Sequence, residues 1–262
     1  MKGKERIMLF QQIRSATVKL NYGNVCFLID PWLQDVCTDA EREQAALTKT
    51  FITKPVVPLP LPVEEIIQDV DVCIVTHDHA DHFTSDYLPS DFPLVCQNQK
   101  DAEKAKSMGF TNVRYFETDE MCFGGVTVKR VDGKHGDNEL LAQKAGPVSG
   151  FVFRCANEKK IYLAGDTVFC DVVENVIAEE KPDVVIVNSC DARTRSGRLI
   201  MNEEDVVRTC QCLKDGIVIA SHMDAVSHAH LTRKQLKEYL EKEGYDHQVL
   251  IPSDGEIIDL SR

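Results

Sequence analysis

Val72-Cys73-Ile74-Val75-Thr76-His77-Asp78-His79-Ala80-Asp81-His82 is the stretch on which the fold turns. Its four leading apolar residues read as a short buried strand. Three histidines and two aspartates follow directly. Imidazole and carboxylate together suit Zn²⁺, Mn²⁺ or Fe²⁺. His77 and His79 are two apart, so an extended chain points them the same way and lets them grip one ion. Asp81 and His82 turn the corner and can reach a second ion. The pattern predicts a metal-binding loop at the C-terminal end of a strand.

Four further metal-type residues each stand at an expected strand end. Asp30 follows the strand at 25–29, His135 the strand at 126–131, Asp166 the strand at 161–164, and His222 the strand at 217–220. Any one of them alone would read as an ordinary polar loop residue. In layered α/β folds, however, sites gather at the carboxyl ends of strands. Taken with the histidine loop, the four read as parts of one site.

Other strands are expected at 16–20, 94–95, 113–116, 150–155, 184–188, 249–251 and 256–260, with a hairpin-like turn at Asn21-Tyr22-Gly23-Asn24. Helices are expected over 98–108, stopped by Gly109, and over 169–179, 203–213 and 232–243. Residues 33–62 hold four of the ten prolines between Pro55 and Pro62. They read as an ordered extended loop that covers a site, or as a plain connector. Strand-rich halves, each followed by helices, suggest two packed sheets with helices outside.

The 262 residues fit one large domain or two small ones, and the 43% hydrophobic and 27% charged content is that of an ordinary globular chain. The net charge of −12 counts against a nucleic-acid footprint. No run approaches the roughly 20 apolar residues of a membrane span. Met1–Arg6 is followed by too few apolar residues for a secretory leader. The ten cysteines form no C-x-x-C pair, and Cys26, Cys73 and Cys155 lie in apolar runs, as small core residues would. A reducing, cytoplasmic location is expected.

In order, Asp30, His77-x-His79-x-Asp81-His82, His135, Asp166 and His222 resemble the five motifs of the metallo-β-lactamase superfamily, over nearly the whole chain. The resemblance implies an α/β (α+β) fold, a four-layer αββα sandwich in which residues 1–262 form one hydrolase domain. More narrowly, the chain resembles the branch of ascorbate-6-phosphate lactonase and related metal-dependent hydrolases. The matching stretches are residues 59–65, 146–150, 220–225 and 251–256. The resemblance implies that His77, His79 and His135 hold one metal, that Asp81, His82 and His222 hold the other, and that Asp166 bridges them. Asp30 would orient a ligand from behind. The chain departs from antibiotic-hydrolysing members, many of which carry Cys at the position of Asp166. It departs from the flavodiiron branch, which carries Glu at that of His79.

Two divalent ions, Zn²⁺ or Mn²⁺ with Fe²⁺ also suited, would share a hydroxide whose parent water has a pKa lowered to about 7. The expected activity is hydrolysis of a small anionic metabolite, a lactone or phosphoester, with Asp81 orienting the nucleophile or taking its proton. His228 could contact substrate or donate a proton, or simply enter a helix. Arg193, Arg195 and Arg198 could bind a phosphate or carboxylate, or form a solvated loop. Cys190 has no obvious base and reads as an inert thiol. Two other classes stand beside this one: a nuclease or phosphodiesterase, and a non-catalytic metal-dependent binding protein. The expected partner is a small-molecule substrate, not a membrane or nucleic acid; assembly into a homo-oligomer is left open.

Overall fold

Strands buried on both faces must carry apolar residues at successive positions, and this chain separates them by parity. Phe151 and Phe153 enter one core while Val152 between them enters another. Ile161 and Leu163 alternate with Tyr162 in the same way, and Phe27 and Ile29 with Leu28. The result is two sheets back to back with helices on both outer faces.

The computed structural model describes residues 7–261. Met1–Arg6, which bear on the expected lack of a leader, lie outside the described residues. The first half contains β1 (Leu9–Arg14), β2 (Thr17–Tyr22), β3 (Val25–Ile29), α1 (Asp39–Thr48), α2 (Val63–Ile67), β4 (Val72–Val75), β5 (Leu94–Cys96), α3 (Gln99–Ser107) and β6 (Val113–Tyr115). Next come β7 (Glu120–Phe123), β8 (Val126–Asp132), α4 (Glu139–Ala145), β9 (Ser149–Arg154), β10 (Ile161–Leu163), α5 (Asp171–Glu180) and β11 (Val184–Asn188). The chain closes with β12 (Arg193–Thr194), β13 (Gly197–Arg198), α6 (Glu203–Leu213), β14 (Ile217–Ser221), α7 (Arg233–Glu243), β15 (Val249–Leu250) and β16 (Ile257–Asp259).

One seven-stranded sheet has the order β16-β1-β2-β3-β4-β5-β6 and the other β15-β14-β11-β10-β9-β8-β7. Each begins as an antiparallel meander and changes to parallel pairing, at β3–β4 in the first and at β10–β11 in the second. Parallel pairing aligns the C-terminal ends of β3 and β4, and likewise of β10, β11 and β14. Those two rows of strand ends face each other at one edge of the sandwich.

The shared core is aromatic. Phe27 of the first sheet meets Phe153 of the second at 5.2 Å and 74°, and Tyr22 meets Phe153 at 6.2 Å and 72°. These edge-to-face contacts are the favoured aromatic geometry. The outer cores join α5, α6 and α7 to the second sheet, and α2 and α3 to the first.

Most expected elements are present near their expected bounds. The turn after β2 is tighter than expected: Tyr22 ends the strand, and Gly23 and Asn24 have φ of 54° and 65°. Two positive φ values in a two-residue loop match the twist of a hairpin. Residues 33–62 are not extended throughout, because α1 lies within them. None of its residues is buried, so no apolar stripe announced it. Its sequence signal is the capping box of Thr38 and Glu41. β1 carries no apolar signature in the sequence, because its inward residues include the buried Gln12 and Arg14. Among the described residues no helix is long and apolar enough to cross a membrane.

Phe153→Ala removes the ring that both Phe27 and Tyr22 pack on. It should lower the unfolding free energy by about 3–5 kcal/mol, read from the denaturant midpoint at unchanged slope. An unchanged midpoint would mean that the two sheets do not depend on this core.

Candidate metal centre

The two rows of strand ends bring together every metal-type residue of the motifs. β4 ends at Val75 and leads directly into Thr76 and His77. The loop then makes one tight turn, with the His82 and Phe83 amides donating to the His79 carbonyl at 3.1 and 3.0 Å. This turn sends His79 and His82 to opposite sides of His77. Asp30 follows β3, His135 follows β8, Asp166 follows β10 and His222 follows β14. Gly165 precedes Asp166 with φ of 69°, and a Cβ there would stand 2.7 Å from the Ser149 carbonyl. Only glycine allows β10 to end this close to β9 and swing Asp166 inward.

Three groups of ligand atoms converge: His77, His79 and His135; His77, His82 and Asp166; and Asp81, His82 and His222. His79 Nδ1 lies 3.0 Å from His77 Nε2 and 3.3 Å from His135 Nε2. His82 Nε2 lies 3.2 Å from His222 Nε2, which is 3.6 Å from Asp81 Oδ2. Ligands about 2.0–2.1 Å from a tetrahedral ion stand roughly 3.3–3.4 Å apart, so both sets have the span of an ion's coordination shell. Asp166 lies between them. Its Oδ2 is 3.1 Å from His82, 3.7 Å from His135 and 3.9 Å from His77, and its Oδ1 is 3.9 Å from His222.

A histidine that turns one nitrogen to a metal must place its other N–H elsewhere. Each of the five does so. His79 Nε2 donates to the Ala145 carbonyl at 3.0 Å, and His135 Nδ1 to the Leu199 carbonyl at 3.1 Å. His82 Nδ1 donates to Asp30 at 2.8 Å. Thr76 Oγ1 donates to Asp30 at 2.7 Å and accepts from His77 Nδ1 at 3.0 Å. His222 Nδ1 donates to Ser15 Oγ at 3.2 Å, with Cys190 Sγ 3.7 Å away. Asn188 Nδ2 donates to Asp166 Oδ1 at 2.7 Å. These bonds select one tautomer per ring, and every bare nitrogen faces the centre.

The titration of these groups divides the site. Burial pushes His77 and His135 below the usual histidine range. Burial also opposes charge on His82, but Asp166 and Asp30 outweigh it and raise His82 to about 10. His222 likewise overcomes burial, chiefly through Asp166, and sits well above its ordinary value. Burial opposes the carboxylates of Asp81 and Asp166 too, yet His222 and His82 hold both well below the usual range. Without ions, the protons on His82 and His222 balance the buried carboxylates.

Several supporting residues lacked a sequence signal. Thr76 adjoins the motif and Asn188 ends a strand, so both were open to view. Ser15 lies 207 residues from His222 and could not have been linked to it. Cys190 does have a basic neighbour in His222, but burial raises its thiol. Two of the three arginines expected to meet an anion are already paired. Arg193 binds Asp191 at 2.8 Å, and Arg198 binds Asp205. Arg195 is exposed on the hairpin between β12 and β13. His228 is half-buried beside Phe51, at 5.1 Å between rings.

This arrangement defines a metallohydrolase of the αββα type. A family model, the beta-lactamase superfamily domain, matches residues 26–223. The UPF0173 protein YddR of Bacillus subtilis (strain 168) is 37% identical over 253 residues, covering 95% of this chain and 98% of its own. The crystal structure of isothiocyanate hydrolase from Delia radicum gut bacteria superposes with a TM-score of 0.87 at 36% identity, covering 97% of this chain and all of that one. UPF0173 metal-dependent hydrolase MJ1163 of Methanocaldococcus jannaschii is 23% identical over 91% of this chain and 98% of its own. The chain belongs to the beta-lactamase superfamily and, within it, to the UPF0173 metal-dependent hydrolases.

Two measurements check the centre. Asp30→Ala leaves all seven candidate ligands in place but frees His82, and should weaken metal binding about 10–100-fold in a competition titration. Because His82 and His222 must shed raised-pKa protons to bind an ion, metal uptake should release protons and tighten as pH rises through neutrality. Calorimetry in buffers of differing protonation enthalpy reads this; affinity independent of pH would contradict it.

Proposed function

We propose that this enzyme is a dinuclear hydrolase of a small uncharged electrophile, with an isothiocyanate as the first substrate to test. The observation that carries the dinuclear reading is Asp166 standing between two ligand sets of ionic span. His77, His79 and His135 would hold one ion and Asp81, His82 and His222 the other, with Asp166 contributing to both. Divalent ions such as Zn²⁺, Mn²⁺ or Fe²⁺ would there acidify a water to a pKa of about 7 and polarise the group it attacks.

The remaining work falls to the chain itself. Asp81 is 24% exposed at its side chain, whereas His77, His82, His135, Asp166 and His222 are 5% exposed or less. Asp81 is thus the carboxylate suited to orient the attacking water and accept its proton. Behind His222, Trp32, Cys190, Ala192, Ile200, Ala225 and Val226 pack as one buried apolar cluster, with Cys190 Sγ 3.7 Å from His222 Nδ1. This cluster backs the centre with apolar groups and offers no charged partner to a substrate from that side.

This environment weighs among the substrate classes. A phosphoester would meet Arg193 and Arg198 already neutralised by Asp191 and Asp205. An uncharged lactone remains compatible, as the resemblance to the lactonase branch suggests. The full-length similarity to an isothiocyanate hydrolase favours the heterocumulene. Hydrolysis of R–N=C=S would form a C–O bond at the central carbon and place a proton on nitrogen. Cleavage of the C–N bond would then release R–NH₂ and carbonyl sulfide.

The test is turnover of allyl and benzyl isothiocyanate by Zn²⁺- and Mn²⁺-loaded protein, with lactone and phosphodiester panels alongside. Isothiocyanate loss should fall to background in Asp166→Ala and after chelation, with the circular dichroism of the variant unchanged. Turnover confined to phosphodiesters would overturn the substrate assignment, and full activity in Asp166→Ala would overturn the mechanism.

A further inference from the structure

His228 and Phe51 lie 177 positions apart in the chain, yet their rings stack at 5.1 Å with a 49° tilt. A clasp brings them together. The Ile52 amide donates to Ser227 Oγ at 2.9 Å, and Ser227 Oγ donates back to the Ile52 carbonyl at 3.3 Å. The Val56 amide donates to the Ala225 carbonyl at 2.9 Å. From the other side, the Arg193 amide donates to the His228 carbonyl at 3.1 Å, and the His230 amide to the Cys190 carbonyl at 3.1 Å. The backbone of His228 is therefore held on two sides, and its ring is positioned rather than free.

The ring has an unusual inventory. Nδ1 is inaccessible to solvent and has no hydrogen-bond partner among the described residues. A neutral imidazole carries one N–H and one bare nitrogen. A buried N–H without an acceptor is the rarer and costlier defect, so the bare nitrogen belongs at Nδ1 and the proton at Nε2. Burial, the largest influence on this ring, disfavours its charged form. The carboxylates of Asp81 and Asp166 and the imidazole of His222 are the metal-centre groups that act on it electrostatically. With two divalent ions beside it, a third cation would be disfavoured further.

We infer that His228 is a substrate-contacting residue, a neutral imidazole whose Nε2–H donates to the atom that gathers negative charge when water adds. In an isothiocyanate that atom is the nitrogen or sulfur of the N=C=S group; in a lactone it is the carbonyl oxygen. A fixed donor aimed at developing charge lowers the barrier without reorganising. Neutral imidazole in this electrophilic role is a recognised catalytic device. Phe51 packs on the ring and, through the Ile52–Ser227 clasp, sets its tilt. The inference rests on the hydrolase reading above but is testable apart from it.

Three variants, one spectroscopic readout and one binding measurement decide it. His228→Ala should lower kcat on isothiocyanate about 10²-fold, with bound metal unchanged. His228→Gln, whose amide N–H falls near the Nε2 position, should recover most of that loss. His228→Asn, whose amide falls near Nδ1, should not. Equal recovery by both, or wild-type kcat in His228→Ala, would overturn the inference. Long-range ¹H–¹⁵N spectra of metal-loaded protein labelled at histidine should show His228 as the Nε2–H tautomer at neutral pH. An Nδ1–H tautomer or an imidazolium would overturn it. Should the wild-type protein turn over neither isothiocyanates nor lactones, the substrate assignment fails, and thiocyanate binding still tests His228. Affinity for that N–C–S ion should fall about tenfold in His228→Ala, and equal affinity would overturn the inference.

Discussion

Five imidazoles and two carboxylates occupy one small volume, most of it sealed from solvent, and the rest of the molecule answers to that constraint. Buried charge is tolerated only when it is paired. The carboxylates of Asp81 and Asp166 find partners in His82 and His222, and those pairs span the distances an ion would need. Each ring must also turn its bare nitrogen inward, which obliges its N–H to find an acceptor behind it. The acceptors are the carbonyls of Ala145 and Leu199, the Asp30 carboxylate, and the hydroxyls of Thr76 and Ser15. They come from five separate segments, so the centre ties together the loops of both sheets.

The centre also holds strained backbone. Ser15, Asp30 and His222 all have positive φ, at 55°, 48° and 61°. Such conformations cost of order 1–3 kcal/mol each for residues other than glycine and persist only where the surroundings enforce them. Here the Ser15 carbonyl accepts the His222 amide at 3.0 Å and the Gln12 side chain at 2.8 Å, while Ser221 Oγ bonds both Ser15 and Gln12. Asp30 is fixed by the Thr76 amide at 2.7 Å and by its own amide on the Ile74 carbonyl at 3.0 Å. The rigid β-sheets bear the cost, and in return the ligands are held ready.

The segment between β3 and β4 links this centre to its substrate side. Arg14, fully buried, stacks on Trp32 and donates to the carbonyls of Trp32, Gln34 and Val57. Trp32 lies in the buried apolar cluster behind His222, Val57 packs against that cluster, and the same segment carries Phe51 to His228. The residues that could hold a metal come from the strand ends, and the segments packed around them come from the loops. That division lets the chemistry stay constant while the loops alter what is hydrolysed.

Much of the centre was legible in the chain because metal ligation needs particular side chains at particular spacings. The His77-x-His79-x-Asp81-His82 run, and the single residues Asp30, His135, Asp166 and His222 after apolar runs, marked the residues that the fold brings together and the strands that carry them. Short apolar runs marked the strands, and Gly109 marked the end of the helix expected over 98–108, where α3 lies. Elements without a buried apolar face, such as α1, or with polar residues turned inward, such as β1, left no such trace. Only the tertiary structure decided that Ser15 and Asn188 support the ligands, that Arg193 and Arg198 are spent on Asp191 and Asp205, and that Phe51 meets His228. Ligand identity is written residue by residue, whereas second partners, ion pairing and the shape of a pocket depend on which distant segments the packed sheets bring within hydrogen-bonding range.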